Sequence, residues 1–204
     1  MQLKANVGPQ GVALGDGTDT PARAGRTGDL IITELHGRYF EQTRSNRMFS
    51  AANQASQALS VGLATAYTGC LLYNPPGSNK ALVPNFVKFA LLSATTFAAI
   101  GLLGGWAAAG GVTTQTTAIP IQSNQIGNLS KGVGIALSSA TIVTPTYIAM
   151  LTDSNQTTAV PNPTVPVDLG GVFIILPGGF IGFSGNAVGT GFGFMSWCEV
   201  DLPI

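Results

Sequence analysis

Short runs of apolar or β-branched residues alternate with turn signals through most of this chain, and where a run also alternates apolar with polar its period is two. The clearest case is the ending GFGFMSWCEV, where Phe192, Phe194, Ser196 and Cys198 alternate with Gly193, Met195, Trp197 and Glu199. Side chains of a strand point to opposite faces in turn, so this pattern predicts a strand with two distinct faces. Short apolar or β-branched runs of the same kind predict strands at 59–65, 70–73, 86–94, 98–104, 134–137, 142–151, 171–176, 180–184 and 191–199. Turn-forming stretches separate them: Asn74-Pro75-Pro76-Gly77-Ser78-Asn79, the Thr/Gln stretch 113–117, residues 153–155, the proline-rich 161–166 and Pro177-Gly178-Gly179. The run VFIILPGGFIGFSG reads as a hairpin whose glycines supply positive φ at the turn. Eight or nine short strands at this spacing predict an all-β fold, a jelly-roll-like β-sandwich.

The first fifty residues follow another pattern. The run GPQGVALGDGTDTPARAGRTGD has almost nothing to bury, and its Gly, Pro, Asp and Thr predict extended or irregular chain. The segment after it opens with a strand-like LIIT. In its continuation Leu35, Tyr39 and Met48 share a helical face only loosely, and Gly37 weakens a helix by about 1 kcal/mol, so strand or irregular backbone is expected. The chain therefore divides into an extended N-terminal arm, residues 1–50, and a sandwich body, residues 51–204.

Residues 89–109 form an uncharged stretch of 21, long enough for a membrane span. Three Gly, three Ser/Thr and a charge-free TTQTT flank favour two strands joined at 93–96, and no membrane partner is expected. Residues 1–30 contain no apolar h-region of a secretory signal.

Charge sharpens the division. Charged residues make up 9% of the chain, against about 25% in an ordinary soluble domain. Of nine Lys/Arg and nine Asp/Glu, eleven fall in residues 1–47. The rest of the chain holds Lys80, Lys88, Lys131, Asp153, Asp168, Glu199 and Asp201 alone. A free monomer covers itself with mixed charge. A body this poor in charge is expected to hide flanks against other chains; the plainer reading is a monomer coated with Ser, Thr, Asn and Gln. In the arm, Arg38, Arg44 and Arg47 stand among Tyr39, Phe40 and Phe49, the mixture that interface cores favour. The expected partner contacts are Arg23, Arg26, Asp29, Arg38, Tyr39, Glu41, Arg44 and Arg47.

Candidate chemistry is sparse. Zero net charge argues against a partner of free nucleic acid. The only imidazole, His36, sits in the arm, and GFSGN at 182–186 lacks the nucleophile-elbow spacing. GDGTD at 15–19 lacks the twelfth-position Glu of a calcium loop, since counting from Asp16 reaches Thr27. One His and two distant Cys do not assemble a zinc site, and Cys70 and Cys198 read as small buried hydrophobes. Glu199 and Asp201 share a strand face, a placement that also suits a polar strand end. The expectation is a structural protein, not an enzyme, with no catalytic residue, metal or cofactor.

The stretches GDGTDTPARAGRTGDLIITELHGRYFEQTRSNRMFSAANQA and VGLATAYTGCLLYNPPGSNKALV, with LGGVFIILPGGFIGF and GFGFMSWCEV, resemble virion structural proteins of tailed bacteriophages. Among those, an arm joined to a sandwich of this size resembles capsid cement, or decoration, proteins. The resemblance implies a homotrimer on the outer capsid surface of the virion, assembled in the host cytoplasm, that clamps neighbouring major capsid protein subunits. The alternative it leaves open is a receptor-binding fibre head or tail-tip adhesin, with loops 74–80 and 153–166 as the reader.

Overall fold

The computed structural model describes residues 38–94, 100–106, 111–151 and 167–202, together with Ala5–Asn6 and Ala22–Arg23. The chain forms two compact units, Met1–Phe40 and Glu41–Ile204. In the first, β1 (Ala5–Asn6) and β2 (Ala22–Arg23) pair in parallel, Asn6 opposite Arg23. A five-residue helix, α1 (Phe40–Arg44), then leads into the strands β3 (Met48–Ala52), β4 (Gln57–Leu59), β5 (Ala66–Tyr73) and β6 (Lys80–Ala94). These are followed by β7 (Ile100–Trp106), β8 (Val112–Ile119), β9 (Ile121–Ser123) and β10 (Ile135–Ile142). The last four are β11 (Thr146–Met150), β12 (Val167–Asp168), β13 (Gly179–Gly185) and β14 (Gly189–Asp201).

Two antiparallel sheets pack face to face, giving the all-β sandwich that the alternation predicts. The first has the order β11-β7-β13-β5-β10-β8, and the second β12-β6-β14-β3-β9, with β4 also on β14. The chain crosses repeatedly between them: β5 lies in the first sheet, β6 in the second and β7 in the first again. Strand β13 inserts between β5 and β7, a long-range return of the Greek-key kind that jelly rolls use.

The main core fills the space between the sheets. Leu72, Leu102, Ile181 and Phe183 from the first sheet meet Leu82, Val87, Met195 and Trp197 from the second. Each buried side chain of this size contributes roughly 1.5–3 kcal/mol of transfer free energy. Alternate positions of the same strands, Tyr67, Leu71, Tyr73, Leu103, Leu137 and Phe180, build a second apolar cluster on the other face of the first sheet. The centre of that sheet is thus apolar on both faces, and β5, β7 and β13 read as nearly continuous apolar runs instead of clean alternation.

Several expected elements differ in the structure. The stretch 113–117, expected as a connector, lies inside β8, because β-branched Thr suits a strand with a solvated face. The expected strand 142–151 is two strands, broken where Thr144 takes a φ of 47° ahead of Pro145. Of the expected strand 59–65, only Leu59 is in a strand, and Val61 adds a lone bridge to Gly185. The run 172–185 is not a hairpin. Pro177 and Gly178 (φ 89°) do form the turn, closed by Gly179 N–H on the Leu176 carbonyl at 2.9 Å. The residues before it, however, exchange backbone hydrogen bonds with Leu82 of the second sheet through Ile175, while β13 runs into the first.

Within the expected arm, residues 40–44 are helical. Strand β3 straddles the expected boundary at residue 50, with Met48 and Phe49 buried against β14. The uncharged stretch 89–109 contributes the end of β6 and all of β7, strands of different sheets. Among the described residues no helix is long and apolar enough to cross a membrane.

Candidate interaction surface

The expected partner residues fall into three groups. Arg26 and Asp29 lie outside the described residues. Of the first unit's residues, Arg23 lies in β2 and Arg38 stacks its guanidinium over the Tyr39 ring, 5.5 Å from the centroid. Glu41, Arg44 and Arg47 belong to the second unit, and all three are exposed.

A short polar turn positions these last three. Glu41 and Arg44 lie one helical turn apart and pair at 3.0 Å. With both side chains more than half exposed, the pair adds little stability and leaves the guanidinium open to solvent. Helix α1 ends where Ser45 donates its hydroxyl to the Glu41 carbonyl and Asn46 turns with a φ of 56°. Arg47 then enters β3, its carbonyl accepting the Glu199 N–H at 2.8 Å. Its charge lies close enough to Cys198 to offset part of the rise that burial imposes on that thiol's pKa.

A second loop clips onto this turn. Gln125 donates to the Arg44 carbonyl at 2.6 Å, and Ser123 donates to the Asn46 side chain at 2.7 Å. The loop is rigidified internally, with Asn128 donating to the Gln125 side chain and the Ser130 N–H bonding back to Asn128. On this braced loop Ile126 is 92% exposed and Leu129 is 93% exposed. Their polar neighbours hold the loop and the apolar side chains are left exposed. The sequence signal was present but slight: two isolated aliphatic residues inside the polar stretch SNQIGNLSKG. The sequence reading missed them because their neighbours read as an ordinary turn.

The base of the same region is fixed by a buried carboxylate. Glu199 is 2% exposed, and its Oε1 accepts the Val133 N–H at 2.8 Å, the Gly134 N–H at 3.0 Å and the Trp197 indole N–H at 3.3 Å. This carboxylate pins the chain entering β10 onto β14. It does not pair with Asp201, which is exposed and reaches Lys80 at 3.7 Å instead. Among the described residues no cluster of three or more His, Cys, Asp or Glu gathers to hold a metal. Cys70 and Cys198 are both free thiols.

No family model, curated protein or solved structure matches this chain.

A groove of about 570 Å³ lies against β7, β11 and β13. Trp106, Ile148, Phe173, Ile174 and Leu176 line it, over backbone opened by Gly104, Gly105 and Gly179. No charged side chain lines it. In the loop 74–80, by contrast, polar groups bond within the loop and to the 175–179 segment. The Asn74 amide donates to the Lys80 and Ile175 carbonyls, and its oxygen accepts the Ser78 hydroxyl.

Proposed function

We propose that this protein is a structural component of a tailed-phage particle, a cement protein that docks on the outer surface of the capsid and bridges neighbouring major capsid protein subunits. The observation that carries the reading is the braced knuckle of Ile126 and Leu129 beside Arg44, Glu41 and Arg47. Apolar anchors at the centre with Arg at the rim are the composition of a protein–protein contact. In this reading Ile126 and Leu129 enter apolar pockets of the capsid lattice, and apolar burial supplies most of the affinity. The Arg44–Glu41 pair reorganises against capsid carboxylates and backbone, and fixes register. The sandwich acts as a rigid body between contacts, and the charge-rich segment that precedes it adds a second attachment.

The test is decoration of capsids stripped of this protein, with the recombinant protein added back. Wild type is expected to bind at hundreds of copies per particle and to raise the temperature at which heads release DNA. The double variant Ile126→Asp/Leu129→Asp, fully folded by circular dichroism, is expected to lose binding. Wild-type protein that ignores capsids, or native particles carrying only a few to a dozen copies at the tail, would overturn the reading in favour of a fibre head or tail-tip adhesin.

A further inference from the structure

The charge of the body is segregated by sheet. The six strands of the first sheet, β11-β7-β13-β5-β10-β8, contain no Asp, Glu, Lys, Arg or His. Lys80, Lys88, Asp168, Glu199 and Asp201 all lie in the second sheet. Natural sheets protect open edges with charge, above all lysine, or with proline. Among the described residues β11 and β8 each have a single neighbour, and neither strand carries such a residue.

The β11 side carries more than an unguarded edge. Met150 is 58% exposed and Tyr147 also reaches solvent; both lie over Gly101 of β7. At the other end of β11 lies the apolar groove, whose wall residues Trp106, Ile174 and Leu176 are each more than half exposed. The groove opens onto the main core, since Phe173, Ile175, Ile148 and Ile181 line it and also belong to or pack against that core. The groove floor is thus continuous with the buried core, and among the described residues its walls stand exposed.

We propose that this face, β11 with the groove beside it, is where a second copy of the chain packs. Three chemical arguments select that occupant. Three of the groove's wall residues, Trp106, Ile174 and Leu176, stand more than half exposed, whereas a small apolar ligand needs most of its surface enclosed. A lipid surface is held by apolar side chains rimmed with Lys or Arg, and β11, β7 and the groove have none. A charged partner finds no counter-charge and would strand its own charges on desolvation. A charge-free face matches a charge-free face, and another copy of this chain supplies one at equal stoichiometry as soon as it folds. Backbone pairing along the open edge adds register to the apolar contact.

The proposal rests on the cement reading only for its biological use. Its test uses the recombinant chain without capsids, so the two fail separately. The protein contains its own probe: of its two tryptophans, Trp197 is fully buried in the core and Trp106 is 60% exposed. Light scattering on a sizing column is expected to show an oligomer. Acrylamide quenching of fluorescence is expected to be slight in that oligomer and to rise on dilution to the monomer, as Trp106 is uncovered. Met150→Lys and, separately, Leu176→Lys change side chains that are more than half exposed in the monomer. Each is expected to weaken association by about tenfold or more while the circular dichroism spectrum is kept. Ile126→Asp/Leu129→Asp is expected to leave the oligomer unchanged. A wild-type monomer at high concentration would overturn the proposal. So would an oligomer in which Trp106 stays open to quencher, or one that tolerates both lysines.

Discussion

At the scale of single residues, a few buried polar groups hold the strands in register. Glu199 is the strongest case, because one carboxylate oxygen satisfies three N–H donors from two segments. Glu199→Ala leaves all three unpaired in a closed site, and is expected to lower the unfolding free energy in urea by about 2–4 kcal/mol. Glu199→Gln keeps an acceptor oxygen and is expected to lose less. Tyr67 has a similar role between strands: its hydroxyl donates to the Cys70 carbonyl at 2.7 Å and accepts the Phe183 N–H at 3.0 Å. Burial raises the Tyr67 pKa well above its ordinary 10.0 and pushes the Cys70 thiol from 9.0 to about 12. The folded state therefore holds protons that the unfolded chain releases above pH 9. Stability from these groups is fully present below that pH and is lost as pH rises through about 9 to 12. Urea midpoints measured between pH 7 and 11 are expected to fall above pH 9, and Cys70 to resist thiol reagents at pH 8 until the protein is denatured.

At the scale of elements, β14 organises the molecule. Its thirteen residues pair with β6 throughout, with β4 over 189–191 and with β3 over 194–198, and Gly193 admits the opposite sheet. A Cβ at Gly193 would collide with Cys70 of β5, and the Gly193 N–H is held by the buried Asn53 side chain at 2.9 Å. Gly193→Ala has to push the sheets apart, and is expected to cost about 1–3 kcal/mol and to lower Tm by several degrees in calorimetry. Pro84, in the long strand β6, stands opposite Trp197 where the ladder shifts register, so its missing N–H coincides with an irregularity already present. These devices explain which expected elements survived contact with the structure. Residues 191–199 were legible because a strand with two distinct faces has a local period, and 180–184 because a short apolar run follows the Pro177-Gly178-Gly179 turn signal. The stretch 113–117 was not, because Thr and Gln satisfy strand and connector alike until a neighbour, here β10, supplies the ladder. The short helix α1 was illegible for a similar reason: five residues carry too little periodicity, and the turn that ends α1 is held by a hydrogen bond from Gln125, far along the chain.

At the scale of the whole molecule, the proposed division of labour assigns the knuckle to the capsid and the charge-free edge to a second copy. The charge-rich first unit then adds reach. Deleting residues 1–30 is expected to leave a folded oligomer of unchanged subunit number that decorates capsids poorly. Full decoration after that deletion would remove the arm from the mechanism while leaving the knuckle in place.

The sequence alone determined the all-β class, the charge-rich beginning and the charge-poor body, since composition and a period of two are local properties of a chain. It also placed Arg44, Glu41 and Arg47 together, because they are neighbours along it. Only the tertiary structure decided which strands share a sheet. That sorting turned a general shortage of charge into one sheet whose strands have none, and it set a groove with exposed apolar walls beside β11. It also turned Ile126 and Leu129 outward, because their loop is held by bonds to a turn some eighty residues earlier. Pairing and exposure depend on contacts distant in sequence, and no local pattern records them.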